Sequence, residues 1–354
     1  MNCSKSCIYG NGIASEEFQE ISQIAGIPEG KLPFRYLGVP IIAKRLAASD
    51  CSKLVERVME RIRAIGVRKL SYAGRLVLIK SVLSTLHCYW ARIFILPVSI
   101  LNKVEALCRS FLWQGKEISN GPALIAWDTC CKTKQEGGLG LIDLRRWNTA
   151  ALGKYIWWIA QKEDHLWVKW IHNIYMKGVN WVDYKPNTGA SWSWRKLCGV
   201  KDKLKAGYVN DWWLHQGRQY TISAGYSWSG MSNNRVAWTP FVWNSLSLPK
   251  HCLIGWIVAN GKLLTRDRLM TIPAVNFMHW WLKLRLKNLL RKKIIAAGIQ
   301  SLIYNIWEMR NRSRVDGLLL RPEKLIEKLL QNLRLRLQVL HSTGKISDNY
   351  REWI

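Results

Sequence analysis

The sequence predicts a mainly α protein, and three observations carry that expectation. Apolar residues recur every three or four positions through most of the chain. The periodic runs end where helix-stopping residues fall, at Pro97 and Gly115. Alternation of the strand kind is confined to Gln219–Trp228, read as a short strand running into a helix.

Residues 13–30 hold a short polar helix, and Gly30–Pro40 is an extended turn. Asp50 is placed to cap the next helix, along which Leu54, Val55, Val58, Met59, Ile62 and Ile65 recur. Another runs from about Ser71 to Ile95, with Leu76, Ile79, Leu83, Leu86 and Trp90 along one side. Ser99 is placed to cap a third, which carries Ile100, Val104, Leu107, Phe111 and Leu112.

Beyond Gly115 comes a loop ending in KQEGGLGLIDL. Its glycines lack the following Lys-Ser or Lys-Thr and the preceding buried strand of a P-loop, so a turn is expected. From Trp147 to Trp213 tryptophan is dense, at helical spacing and interleaved with lysine and arginine. Such rings either stack on unpaired bases or pack helices together, and the one-faced spacing favours packing. Ser191–Tyr208 starts a further helix, and Pro322 opens one bearing Ile326, Leu330, Leu333, Leu337 and Leu340. That last helix is expected to pack on the body of the protein rather than dimerise.

Lysine and arginine number 53 against 24 acidic residues, a formal charge of +29. A surplus of this size favours polyanions, nucleic acid first and an anionic membrane surface second. Residues 262–354 alone hold 19 basic and 7 acidic residues, a balance of +12, densest in Leu282–Lys293. Ser81–Leu101 is the most apolar window, but His87, Arg92 and Pro97 interrupt it, as in a buried helix. Nine scattered cysteines without a CxxC pair suit reduced thiols in the cytosol or nucleus, and MNCSKSCIYG lacks the apolar run of a secretory signal.

No Ser-His-Asp, Cys-His or metal-carboxylate constellation is visible, and Glu163–His165 reads as a polar helix turn. A structural zinc site needs about four thiolate or imidazole ligands. His251, Cys252 and His279 fall short of that, so no metal and no cofactor are expected.

Several blocks carry a resemblance in order. They are N-x-x-K-S with IYG-x-G (Asn2–Gly12), RYLGVPI (Arg35–Ile41), KLSYAGRLVLIKSVL (Lys69–Leu83), FLWQG (Phe111–Gly115) and the Lys134–Leu144 glycine segment. NTAALGK (Asn148–Lys154), Trp238–Leu269 and IYNIWEMRNRSR (Ile303–Arg314) follow. Together they resemble the region after the polymerase palm in plant non-LTR (LINE-type) retrotransposon reverse transcriptases. The resemblance implies an end of the palm-like segment at 1–32, a helical thumb at 33–115 and a Trp-rich helical connector at 116–218. It further implies the N-terminal half of a reverse-transcriptase zinc-binding domain at 219–275, then a basic helical tail at 276–354.

In that family a cysteine-rich zinc knuckle follows the block ending at Leu269; here MTIPAVNFMHWW (Met270–Trp281) supplies no cysteine. Nor does any adjacent Asp-Asp exist in the chain to hold polymerase metals. The implied product is a truncated relic without catalytic residues, whose remaining activity is non-sequence-specific binding of RNA or DNA. Arg68, Lys69, Arg75 and Lys80 in the thumb and Arg291, Lys292 and Lys293 in the tail are the candidate backbone contacts. No membrane and no small-molecule substrate is implied. A host-adapted helical protein-interaction module is the alternative.

Overall fold

The computed structural model describes residues 6–10, 12–42, 44–66, 70–118, 121–210, 219–230, 234–263, 271–285, 288–316 and 322–344. Arg68 and Lys69 lie outside them. The chain is mainly α, as expected, with one two-stranded sheet among the described residues. It divides into two compact units. One comprises Met1–Val55, Cys88–Leu101 and Asn148–Gly225; the other comprises Glu56–His87, Asn102–Trp147 and Tyr226–Ile354.

In the first unit, helix α1 (Ser15–Ala25) ends at Gly26 in the left-handed conformation. Strands β1 (Phe34–Tyr36) and β2 (Val39–Ile41) pair antiparallel, with Phe34 opposite Ile41 and Tyr36 opposite Val39. This hairpin replaces the expected extended turn. Its two-residue loop, Leu37–Gly38, has φ of 50° and 83°, the double positive φ that matches the twist of paired strands. Ile8 bridges to Glu29, and the Tyr9 ring stacks on Phe34 at 4.2 Å.

Helix α2 (Ser52–Gly66) buries Leu54, Val58 and Ile62, spaced by four as one helical face requires. Asp50 sits in the tight turn before it and accepts from the Ala47 amide at 2.8 Å, so it braces the approach rather than capping the helix. Ser71 does cap: its Oγ accepts from the Gly74 amide at 3.3 Å at the start of α3 (Tyr72–Leu78). A π-helical turn, Ile79–Leu83, joins α3 to α4 (Ser84–Ile93). Helix α5 (Val98–Gln114) begins one residue before Ser99, and the Pro97 carbonyl accepts from Ile100 and Leu101. Proline at the boundary therefore does what Ser99 was expected to do, because a helix end needs a carbonyl already in place. Gly115 ends α5 at φ +74°.

In the second unit α6 (Trp127–Cys131) leads into the glycine segment, and α7 (Leu144–Gln161) follows, its residues from Asn148 on belonging to the first unit. Asp143 caps α7, its Oδ1 accepting from the Arg145 and Arg146 amides at 3.0 Å each. In the first unit, α8 (Leu166–Ile171) runs on through the π turn His172–Met176. There α9 (Trp192–Asn210) starts with the Ser191 hydroxyl accepting from the Trp194 amide.

Gln219–Trp228 contains the expected helix, α10 (Ile222–Trp228), but not the short strand expected ahead of it. Thr221 Oγ1 accepts from the Ala224 amide at 3.1 Å, a cap that local propensity for a strand does not outweigh. The last five helices are α11 (Thr239–Val242), α12 (Pro249–Ala259), α13 (Thr271–Lys283), α14 (Leu289–Asp316) and α15 (Pro322–Ser342). Helix α12 is buried all round and packs against α3, α11, α13 and α14. The stretch that departs from the zinc-binding pattern lies largely in α13, which buries Met278 and Trp281. Helix α15 packs as expected through Leu333, Leu337 and Leu340 on Leu246, Ala297 and Ile294, while Ile326 and Leu330 stay exposed.

Candidate nucleic-acid interface

Of the four candidate cations in this stretch, the two that are described, Arg75 and Lys80, are half-buried and bonded to backbone carbonyls. The Arg75 guanidinium donates to the Leu112 carbonyl at 3.3 Å, near the C-terminus of α5, and lies over the Tyr72 ring. Carbonyls in the last turn of a helix have no partner within it, and Arg75 supplies one. Burial lowers the Arg75 pKa from its ordinary value. Lys80 donates from Nζ to the Leu139 carbonyl at 2.5 Å. Burial, and then the nearby Lys134 charge, lower its pKa too.

The glycine segment that Lys80 reaches is a closed turn. The amides of Gly137, Gly138, Leu139, Gly140 and Leu141 all donate to carbonyls of Cys130, Lys132, Thr133 and Lys134. None is left for a phosphate, so the GGLG pattern is a connector, as read from the sequence. A Cβ on Gly138 would run into the Lys132 carbonyl, and Gly137 and Gly140 hold φ of +82° and +65°. The Gly137 carbonyl accepts from Trp256 Nε1 at 2.7 Å, and Trp256 stacks on Trp113 at 6.5 Å and 7°. FLWQG, GGLG and the helix of the Trp238–Leu269 block thus meet in one core.

The tail behaves differently. Arg291 is exposed, on the first turn of α14, whose opening Asn288 caps by accepting from the Leu290 and Arg291 amides. Lys292 lies half-buried over the Trp281 ring at 4.7 Å. Lys293 is half-buried, and its carbonyl accepts from Asn244 Nδ2 at 2.5 Å. Three cations on the first turns of a helix oppose its dipole, and no acidic residue sits there to offset them. A bound anion would relieve that repulsion. Lys283 and Arg285, just upstream in the same basic stretch, are exposed as well. They were not singled out from sequence, although the density of Leu282–Lys293 already marked the place.

The first unit contains two polar anchors that sequence reading missed. Asn148, at 5% exposure, donates to the Ala91 and Phe94 carbonyls and accepts from the Leu96 amide, tying off the end of α4. Lys201, at 4%, donates to the carbonyls of Val182 at 3.2 Å and Tyr184 at 2.6 Å and lies 3.3 Å from Asp202. Its signal was present: Cys198, Lys201 and Leu204 fall at i, i+3 and i+6, on the apolar face of α9.

His251 is buried against Tyr304, and Cys252 Sγ faces the Asn244 carbonyl. His279 is exposed. Among the described residues, no three His, Cys, Asp or Glu side chains gather where they could hold a metal ion. No helix among them is long and apolar enough to cross a membrane.

Fold and surface together define a class: a basic, mainly α protein in which Trp113 of FLWQG, Gly137 of GGLG and Trp256 share one core. No family model matches the chain. It is similar to a provisionally named ribonuclease H protein of Arabidopsis thaliana, 32% identical over 176 residues, which is 48% of this chain and 28% of that protein. It is also similar to an uncharacterized mitochondrial protein of Arabidopsis thaliana, 26% identical over 125 residues, 35% of this chain and 81% of that one. The chain therefore spans well under two thirds of the first relative.

Proposed function

We propose that this chain is a relic of a LINE-type reverse-transcriptase polyprotein, without a polymerase site, that binds nucleic acid with no sequence preference. Similarity to a protein named for ribonuclease H supports a retroelement origin. One observation carries the binding: if each of the 24 carboxylates took one cation, 29 lysines and arginines would remain uncompensated. Cations that track phosphates confer affinity without reading bases. Exposed Lys283, Arg285 and Arg291 are the proposed contacts, and Lys292 and Lys293 flank them. Arg75 and Lys80 enter the proposal as framework, because their charges are already committed to carbonyls.

The chain is not proposed as an enzyme, since no adjacent Asp-Asp exists in it. Binding of a labelled RNA–DNA hybrid across about 50 to 300 mM salt tests the reading. The logarithm of the affinity should fall linearly with that of salt concentration, whatever the hybrid's sequence. Weak, salt-independent binding would instead favour a protein-interaction module, for which the exposed Ile326 and Leu330, one turn apart on α15, offer an apolar patch.

A further inference from the structure

The first unit holds a cleft of about 450 Å³, within the range of roughly 300–1,000 Å³ usual for ligand pockets. Tyr155, Trp167, Trp170, Tyr175, Trp192 and Trp194 contribute six aromatic rings to its lining. Several tryptophans of the segment are consumed by packing: Trp157, Trp181 and Trp194 are 8%, 6% and 4% exposed. Trp167 and Trp170 are not, at 38% and 48%. Each is held by an edge contact from beneath, Trp167 by Tyr155 at 5.7 Å and Trp170 by Tyr175 at 5.4 Å. Tyr175 is fixed in turn by stacking on Trp194 at 4.8 Å, and the Tyr155 hydroxyl by the Arg92 carbonyl at 2.9 Å. Two flat rings are therefore set in place over an open, ring-lined space.

The lining of the cleft carries charge of one sign. No carboxylate lines the cleft; Lys44 does, and the Arg45 guanidinium lies 4.6 Å over the ring of Trp192. An apolar peptide has no use for this pairing of ring faces with cations alone. An unpaired nucleotide uses both, its base for stacking and its phosphate for charge.

We propose that this cleft binds an unstacked base of a single-stranded nucleic acid, with Trp170 and Trp167 as stacking surfaces and Lys44 and Arg45 as phosphate partners. This rests on the nucleic-acid reading above and adds to it a site that distinguishes single strands from duplex. Exposed Leu166 and Ile174 lie on the same helical stretch but do not line the cleft, so they take no part.

The test measures binding of labelled oligothymidylate of about 12 nucleotides, and of an abasic strand of the same length, at one low salt concentration. The full chain is compared with a Trp167→Ala/Trp170→Ala variant and with Trp170→Phe, with helical circular dichroism followed throughout. The wild type should prefer the base-bearing strand by roughly tenfold or more, since one stacked base supplies that much. The double variant should lose the preference while holding the abasic strand unchanged, and Trp170→Phe should keep most of it.

Equal binding of both strands by the wild type overturns the cleft and leaves backbone binding standing. Binding of neither overturns both. Occupancy of the cleft by an apolar dye that oligothymidylate fails to displace assigns it to an apolar partner and also overturns the proposal.

Discussion

Two regions of the molecule carry the same sequence signal, aromatic residues interleaved with lysine and arginine, and put it to opposite use. In the second unit, Trp113 and Trp256 stack on each other while Lys80 and Arg75 satisfy internal carbonyls. In the first, Trp167 and Trp170 stay open to solvent around a cleft with Lys44 on its lining. The difference lies in what the backbone nearby leaves unsatisfied. The closed glycine turn and the end of α5 expose carbonyls that must find donors, and the nearest long cations are drawn in. The rings of α8 have no such neighbour to fill.

This contrast can be broken most forcefully at Trp256, which is fully buried and bonded to Gly137. Trp256→Ala should cost about 4 kcal/mol in chemical denaturation, from the lost ring and the cavity it leaves. A smaller change would mean the second unit is less tightly built than its geometry implies.

Next in size is a pH effect in the same unit. Burial pushes the pKa of His87 and of His251 down from 6.5 to about 4 each, with the Lys250 charge adding to the effect at His251. Between those values the unfolded chain takes up protons that the folded chain refuses. The stabilising contribution is therefore complete above about pH 6.5 and is lost as pH falls toward 4. Each histidine accounts for about 3 kcal/mol of that loss. His251→Gln should flatten the pH dependence of the midpoint over this interval, and an unchanged slope would show that His251 is not held neutral.

Smaller again, Lys80→Met keeps the apolar stem but strands the Leu139 carbonyl, and should cost about 1–2 kcal/mol. Smallest is Trp170→Ala, which should cost about 1 kcal/mol, because the ring is half-exposed and gives up little more than its edge contact with Tyr175. A loss comparable to that of Trp256→Ala would erase the distinction between the two regions.

Helix positions were legible because burial repeats at 3.6 residues. The faces of α2 and α5 and the stop at Gly115 follow from that period and from the helix-stopping residue, whereas the caps expected at Asp50 and Ser99 do not form and the cap at Ser71 was not foreseen. The hairpin was hidden because its three-residue strands are too short to show alternation, although Leu37–Gly38 carries its turn. At Gln219–Trp228 the expected helix forms but the short strand read ahead of it does not, because alternation over so few residues imitates a strand.

The candidate contacts were legible only as a population of cations. A lysine facing phosphate and a lysine facing a carbonyl have the same sequence neighbourhood on an amphipathic helix. Which one Lys80 became depended on Leu139, fifty-nine residues away in the chain. Lys283 and Arg285 differ from it in having no carbonyl within reach among the contacts the structure records.

The central claim, that the outward cations bind phosphate while the inward ones support the fold, reduces to one salt titration of three proteins on the same RNA–DNA hybrid. They are the wild type, a Lys283→Gln/Arg285→Gln/Arg291→Gln variant and an Arg75→Met/Lys80→Met variant. The tail variant should bind more weakly, with a log–log salt slope shallower by about 2–3, close to one for each phosphate contact removed. The Arg75/Lys80 variant, measured below its lowered melting temperature, should keep the wild-type slope. An unchanged slope in the tail variant, with the shallower one appearing in the Arg75/Lys80 variant, would contradict the account.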